Sequence, residues 1–259
     1  MFTKIMLIDQ LKESGIKQND TLLVHSSMRA IGDVEGRADT VIDALMEYLT
    51  DGLLILPTHT WAQMGEDYLL FDPKKERACV GILPNIFMKR KNVVRSLHPT
   101  HSVAAYGNKA NEYIDGDENW DTPCAKGGCW GKLYDMDAKI LFIGVGMERN
   151  TFIHSVEEWV NVPNRLSDKR VPFQVKKDQN CIIERPAYRH YHPNGSTSDY
   201  YVKLQQPFLE TGVIKRVKFG EASCFVGKAK EMANMTLQFL ENDLDVFGHL
   251  DPIPSSWYK

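Results

Sequence analysis

The sequence predicts an α/β fold in which a largely parallel, mixed central sheet carries helices on both faces. Three observations indicate this fold. Apolar runs of strand length recur along the chain, at Leu22–Val24, Leu53–Leu56 and Ile140–Val145. Segments with the three-to-four-residue apolar spacing of helices lie between them. Polar residues or glycines follow each run directly, as is typical of site loops beyond the carboxyl ends of parallel strands.

The first quarter of the chain supplies two helices and two strands. In chain order they are a helix ended by Gly15, a strand over residues 22–24, a helix over residues 40–49 and a strand over residues 53–56. Apolar residues on one face mark the helices, as at Val41, Leu45 and Leu49. The two strands lead into His25-Ser26-Ser27 and Thr58-His59-Thr60, so both are followed by candidate site loops.

The remaining elements continue this alternation and then depart from it. We expect a helix over residues 84–91, a strand over 103–105, a strand over 140–145 with a helix behind it, a hairpin from strands 171–175 and 180–183, a strand over 213–219 and a helix over 227–241. A polar, aromatic loop over residues 188–201 contains His190, His192 and Asn194-Gly195. Because no linker or repeat interrupts the chain, residues 1–259 are expected to form a single domain.

Composition excludes several classes of protein. The formal charge is −3, and basic residues are spread along the chain, which gives no support to nucleic-acid binding. The longest apolar runs are too short to span a bilayer, and residues 1–16 have the pattern of an amphipathic helix and not of a signal peptide. Five cysteines without close pairing favour reduced thiols and a cytoplasmic location.

The segment that follows residues 140–145 carries the most informative pair. Gly144 and Gly146 end the strand, and Asn150-Thr151 precede a helix that has His154 in its first turn and Glu157 one turn later. A histidine beside a carboxylate is suited to general-base catalysis, with the carboxylate orienting the ring. The alternative is that His154 only packs and Glu157 is a solvated helix charge.

Residues 95–102 form a second candidate site, Arg95-Ser96-Leu97-His98-Pro99-Thr100-His101-Ser102. This density of donors suits an anionic group such as a cofactor phosphate, although a solvated basic turn has the same composition. Pro99 breaks the helix that would place His98 and His101 on one face, so we expect no metal site. The segment 127–133 resembles a phosphate loop only weakly, because no Ser or Thr follows Lys132, and we expect a plain turn there.

Four segments together resemble the aminoglycoside 3-N-acetyltransferase family. They are Val24-His25-Ser26-Ser27-Met28 with Gly32, Leu56-Pro57-Thr58-His59-Thr60, Arg95-Ser96-Leu97-His98-Pro99 with Ser102-Val103-Ala104-Ala105, and Asn150-Thr151 with His154 and Glu157. The resemblance covers residues 5–165 and is weaker towards the end of the chain. The order and spacing of the four segments, more than any one of them, carry it.

The resemblance implies a three-layer α/β/α fold and acetyl-CoA as the acetyl donor, with no metal. It further implies a transferase of antibiotic resistance that modifies the 3-amino group of a 2-deoxystreptamine aminoglycoside. His154 and Glu157 match the catalytic histidine and its carboxylate. The expected donor-binding residues are His25, Ser26, Ser27, Met28, Arg95, Ser96, Ser102 and Val103. The expected acceptor-binding residues are Thr60, Asp67, Asp72, Glu184, His190 and His192.

Two departures from the family pattern leave alternatives open. Cys129-Trp130 stands where the family usually has Ser-Pro, and no acidic cluster is evident after His154, although a small polycationic amine would need one. The acceptor could therefore be a different amine. A hydrolase with Ser26 or Ser27 as nucleophile is a second alternative, although the Gly-x-Ser-x-Gly elbow is absent, and a non-catalytic binding protein is a third. The sequence does not decide whether the chain forms a homodimer.

Overall fold

The computed structural model describes residues 1–193, 195 and 197–259, so Asn194 and Ser196 of the predicted polar loop lie outside the described residues. A central sheet of seven strands has the order β4-β5-β2-β1-β6-β10-β9, and a small sheet has the order β3-β7-β8. The strands are β1 Thr21–Ser26, β2 Leu53–Pro57, β3 Leu70–Phe71, β4 Val94–Arg95, β5 Val103–Gly107, β6 Lys139–Ile143, β7 Gln174–Lys176, β8 Ile182–Glu184, β9 Ile214–Phe219 and β10 Ala222–Lys228.

The predicted α/β fold with a mixed sheet is confirmed, but its parallel part is smaller than expected. Strand β1 pairs in parallel with β2 on one side and β6 on the other. The flanking pairs β2–β5, β4–β5, β6–β10 and β9–β10 are antiparallel. The sequence prediction missed β10, whose Gly227-Lys228 end was assigned to the following helix. A tight turn at Gly220 (φ 62°) joins β9 to β10 and makes that pair antiparallel.

Helices cover both faces of the sheet and complete three layers. They are α1 Lys4–Glu13, α2 Met28–Ile31, α3 Arg37–Tyr48, α4 Ile82–Phe87, α5 Ala110–Ile114, α6 Cys129–Asp135, α7 Phe152–Trp159, α8 Gln205–Glu210 and α9 Ala229–Asn242. Leu22 and Val24 of β1 pack into the core formed with α1, α3 and α4, whereas Leu23 packs into the core formed with α5–α9. This alternation follows from the two-residue period of strand side chains.

The local structure differs from the prediction at residues 129–135, whereas the predicted hairpin is present with its strands shifted towards the C-terminus. Residues 129–135 form the helix α6 and not a plain turn, since Cys129 and Trp130 are buried against the sheet. The predicted hairpin is present as β7 and β8, which together with β3 enclose a small separate core around Phe71 and Phe173. Among the described residues, no helix is both long and apolar enough to cross a membrane.

Candidate active site

A cavity of about 710 Å³ lies where the parallel strands β1, β2 and β6 end. Six of the eight histidines of the chain contribute to its lining, namely His25, His59, His101, His154, His190 and His192. The position is the one expected from the topology, because the carboxyl ends of parallel strands meet at one edge of the sheet. The two predicted site loops and the segment carrying His154 are therefore brought together.

His154 lies in the first turn of α7, as predicted, with Glu157 one turn later. Gly144 makes this possible, because its φ is 63° and a Cβ there would lie 2.1 Å from the Cβ of Ala30. Thr151 occupies the N-cap position, but its side chain does not cap the helix. Its hydroxyl instead contacts His59 Nε2 at 3.2 Å, so Thr151 joins two of the predicted segments.

A third side chain, that of Tyr201, lies between His154 and Glu157. His154 Nδ1 lies 2.6 Å from the hydroxyl of Tyr201, and the same hydroxyl donates to Glu157 Oε2. The direct distance from His154 Nδ1 to Glu157 Oε2 is 3.4 Å. Tyr201 is fully buried and lies in the 3₁₀ helix Thr197–Leu204, 47 residues after His154 in the sequence.

Arg165 balances the charge of Glu157. Arg165 Nε donates to Glu157 Oε1 at 2.7 Å, and both side chains are almost fully buried, at 3% and 1% exposure. Burial acts to raise the pKa of Glu157, but the hydrogen bonds and charges of His154 and Arg165 outweigh it and lower that pKa below its ordinary value. Glu157 is therefore an ionised carboxylate held between Arg165 and Tyr201.

His190 stacks on a face of the His154 ring. The two rings stack with centroids 4.0 Å apart, and His190 Nε2 lies 3.2 Å from Glu158 Oε1. Burial, together with the nearby His154, lowers the pKa of His190 to about 4 despite Glu158. His190 is consequently neutral near pH 7 and places no positive charge against the ring of His154.

Four further histidines form a buried cluster at the cavity, in which His25, His59 and His101 line the wall and His98 packs behind His101. Trp130 supports it, since its indole lies over His59 at a centroid distance of 5.3 Å and donates to His101 O at 2.9 Å. Burial lowers the pKa of His25 to about 3 and lowers the pKa of the other three as well. Trp130 of the Cys129-Trp130 pair, which departs from the family pattern, thus packs against the neutral imidazoles of this cluster.

The structure divides the expected donor-binding residues into two groups. His25 and Ser26 line the cavity, with Ser27 and Met28 directly after them at the start of α2. Ser96, Ser102 and Val103 are fully buried and belong to the packing of β5. Arg95 also lies outside this cavity, because its guanidinium donates to Thr58 O, Glu76 O and Pro73 O and fastens the segment after β3 to the sheet.

The expected acceptor-binding residues divide in the same way. His190 and His192 line the cavity. Thr60 is buried and donates to Pro99 O, and Asp72 pairs with Lys176 at 3.4 Å in the small sheet. Asp67 and Glu184 are exposed and do not line the cavity. The described lining instead carries Glu148 as its carboxylate together with Arg149 and Arg189.

Several residues of the site were not predicted from the sequence. Tyr201 and Arg165 reach α7 from separate segments, so no spacing rule connects them to His154. Glu158 lies at i,i+4 from His154 on α7, and this local signal was not used. For Tyr201 one signal was present, since it closes the aromatic loop in which His190 and His192 were noted.

Cys124, Glu158 and His190 place one ligand atom each within 4.8 Å of one another. These are residue types that bind zinc. The group is next to His154, because the ring of its member His190 stacks on the ring of His154. In the described structure Glu158 Oε1 is already engaged by the backbone N–H of Cys124 at 2.9 Å as well as by His190. The absence of a metal, expected from the sequence, stays a prediction.

Known proteins resemble this chain over most of its length. A protein-family model described as aminoglycoside 3-N-acetyltransferase matches residues 23–241. The SPbeta prophage-derived aminoglycoside N(3')-acetyltransferase-like protein YokD of Bacillus subtilis (strain 168) is 24% identical over 266 residues, covering 93% of each chain.

Two solved structures share the fold. The binary complex of AAC-IIIb with CoASH superposes with a TM-score of 0.81 at 22% identity, covering 93% of this chain and 97% of the other. A mutant of aminoglycoside acetyltransferase AAC(3)-IVa in complex with a gentamicin superposes with a TM-score of 0.81 at 23% identity, covering 95% and 91%.

Proposed function

The chain belongs to the aminoglycoside 3-N-acetyltransferase family, and from this premise we propose that it transfers the acetyl group of acetyl-CoA to the 3-amino group of a 2-deoxystreptamine aminoglycoside. The donor and the acceptor are supported by the relatives, of which one is described as a complex with CoASH and another as a complex with a gentamicin. The residue roles that follow are proposals from the geometry.

His154 is the general base in this proposal, and its placement on the cavity wall is the observation that carries it. Its Nδ1 is engaged by Tyr201, so Nε2 is the nitrogen that receives a proton from the acceptor ammonium. The resulting amine attacks the thioester carbon. The C–N bond forms, the C–S bond breaks, and the imidazolium returns its proton to the leaving thiolate of CoA, while the second proton of the attacking nitrogen is released to solvent as the amide forms.

Holding both substrates in one cavity supplies the remaining rate enhancement. The pantetheine is placed along His25 and Ser26, where the Ser26 hydroxyl is a candidate donor to the developing oxyanion. The Thr58 and Thr60 backbone N–H groups are unsuited to that role, because they donate to Ser102 O and Thr100 O. Arg149 lines the cavity, so it replaces Arg95 as the candidate for a CoA phosphate.

A thiol-release assay with acetyl-CoA and a panel of 2-deoxystreptamine aminoglycosides tests this function. We expect release of free CoA that depends on the acceptor, with one acetyl group added to the antibiotic. No release with any member of the panel would overturn the proposed acceptor, and release without an acceptor would favour the hydrolase alternative.

Direct transfer is tested separately through Ser26, the serine of the hydrolase alternative that lines the cavity. Intact-protein mass spectrometry during turnover is expected to show no acetylated enzyme, and Ser26→Ala is expected to retain measurable transfer because its hydroxyl at most assists the oxyanion. A covalent acetyl group that Ser26→Ala abolishes would contradict direct transfer.

A further inference from the structure

We infer that Glu157 acts on His154 through the hydroxyl of Tyr201, which makes Tyr201 the positioning residue that fixes the tautomer of the base. The inference rests on the proposed function, since it assigns to Tyr201 a role in that reaction.

The distances separate a bridged arrangement from a direct one. His154 Nδ1 lies 2.6 Å from the Tyr201 oxygen, within ordinary hydrogen-bond range, whereas it lies 3.4 Å from Glu157 Oε2. Tyr201 is itself hydrogen-bonded to Glu157 Oε2. A carboxylate positioned to bind the ring directly would occupy the place that the phenol oxygen holds.

The single phenol hydrogen determines the direction of both bonds. Glu157 is ionised and can only accept, because the interactions of His154 and Arg165 outweigh burial and lower its pKa. Tyr201 therefore donates to Glu157, and its oxygen accepts a hydrogen bond from His154. The hydrogen on His154 is then on Nδ1, and the lone pair needed by a general base is on Nε2.

Arg165 holds the Glu157 carboxylate in place. Its Nε donates to Glu157 Oε1 at 2.7 Å, and its Nη2 lies 3.1 Å from Asp245 Oδ1. With one oxygen bound by Arg165, Glu157 presents the other to Tyr201. The carboxylate of Glu157 thus polarises the Tyr201 hydroxyl, and the phenol oxygen is the atom that contacts His154.

The packing of Tyr201 makes this geometry rigid and makes the hydroxyl separable from the ring. Tyr201 is fully buried, and its ring meets Phe247 edge-on at a centroid distance of 5.1 Å. Phenylalanine at this position preserves these apolar contacts and removes only the bridging oxygen. Tyr200 is the matched control, because it is the neighbouring tyrosine on the same segment, is only partly buried and does not line the cavity.

The decisive experiment measures kcat and KM for Tyr201→Phe, Glu157→Gln and the double variant, beside Tyr200→Phe. Tyr201→Phe is expected to lower kcat about 10- to 100-fold with the KM for acetyl-CoA changed less than about threefold, while Tyr200→Phe stays near wild type. If Glu157 acts through Tyr201, the double variant is no slower than Tyr201→Phe alone. Multiplicative losses, or a kcat for Tyr201→Phe within twofold of wild type, would overturn the inference.

A second readout needs neither activity nor a stable Glu157 variant. Histidine ¹⁵N NMR of the resting protein is expected to show His154 with its hydrogen on Nδ1, and Tyr201→Phe is expected to shift the population towards the Nε2–H form. An unchanged tautomer in Tyr201→Phe would contradict the bridge. Because this spectrum requires no substrate, a protein that transfers no acetyl group would overturn the proposed function and leave the tautomer assignment standing.

Discussion

At the scale of single residues, the chemistry of this site depends on which charges the fold permits. His154 has a bridged carboxylate on one side and a neutral imidazole, His190, on the other. Glu157 remains ionised in the interior because Arg165 is buried beside it. A buried ion pair of this kind is expensive to break from one side, since the remaining charge has no partner and no water.

The first prediction concerns that pair. Arg165→Met is expected to lower the free energy of unfolding by about 3–5 kcal/mol, because it leaves Glu157 uncompensated in the core. The surface pair Lys12–Asp9, at 2.8 Å and more than half exposed, provides the control. Lys12→Met should leave the free energy of unfolding nearly unchanged, because solvent screens this exposed ion pair. Equal losses in urea unfolding would contradict the burial of the Arg165–Glu157 pair.

The second prediction concerns the acceptor carboxylates. Asp67→Asn and Glu184→Gln are expected to leave the acceptor KM within twofold of wild type, because both side chains lie outside the cavity. Glu148→Gln, which changes a carboxylate of the described lining, should raise that KM several-fold for a polycationic acceptor. Steady-state kinetics in low salt distinguish the three variants, and a rise for Asp67→Asn matching that for Glu148→Gln would restore the role expected from the sequence.

At the scale of elements, the segment from β6 through Gly144 to α7 positions His154. The sequence predicted this segment well because strand period, glycines and helix start are all local signals. It could not predict β10 equally well, since the pattern Ala-Ser-Cys-Phe-Val-Gly-Lys runs directly into α9. The antiparallel pairs β2–β5 and β4–β5 were not predicted, because strand direction depends on the path of the chain between strands and not on the residues of the strand itself.

The third prediction tests the turn at Gly144. Gly144→Ala adds a Cβ at 2.1 Å from that of Ala30, while Gly212→Ala adds one with nothing within 4 Å, and both positions have a positive φ of 63° and 79°. The backbone strain of about 1–2 kcal/mol is common to both variants. Only Gly144→Ala is expected to cost a further amount of about 1–3 kcal/mol and to lower kcat by displacing α7. Thermal unfolding and thiol release measured on both variants check this, and equal effects would remove Gly144 from the positioning of His154.

At the scale of the whole molecule, residues from distant parts of the sequence converge on one cavity. The meeting of the loop after β1 with the histidine of α7 was predictable, because parallel strands bring their carboxyl ends together. Tyr201 and Arg165 were not, since their approach to Glu157 depends on how the chain after α7 folds back over the sheet edge. The hydrogen bonds of Arg95 to the carbonyls of Glu76 and Thr58 could not be predicted, because no side-chain pattern reveals contacts with backbone carbonyls, and its expected anion-binding role stays a prediction.

The fourth prediction follows from the buried histidines. In the folded protein the pKa of His25 is about 3 and that of His190 is about 4. In the unfolded chain both have the ordinary histidine pKa of 6.5. Between these values the unfolded state binds more protons, so stability falls as pH decreases, by about 1.4 kcal/mol per pH unit for each histidine. Urea unfolding between pH 7.5 and 5 is expected to show this loss, and His25→Asn is expected to reduce its slope. A flat profile would show that these histidines are accessible to protons in the folded state.

The most direct measurement compares kcat for thiol release from acetyl-CoA by the wild-type protein and by His154→Ala at saturating aminoglycoside. If His154 is the general base, kcat falls at least about 100-fold, while the CoA dissociation constant measured by calorimetry stays within a few-fold. His249→Ala, which removes an exposed histidine that does not line the cavity, should leave both quantities unchanged. Retention by His154→Ala of more than about a tenth of the wild-type kcat would contradict its role as the base.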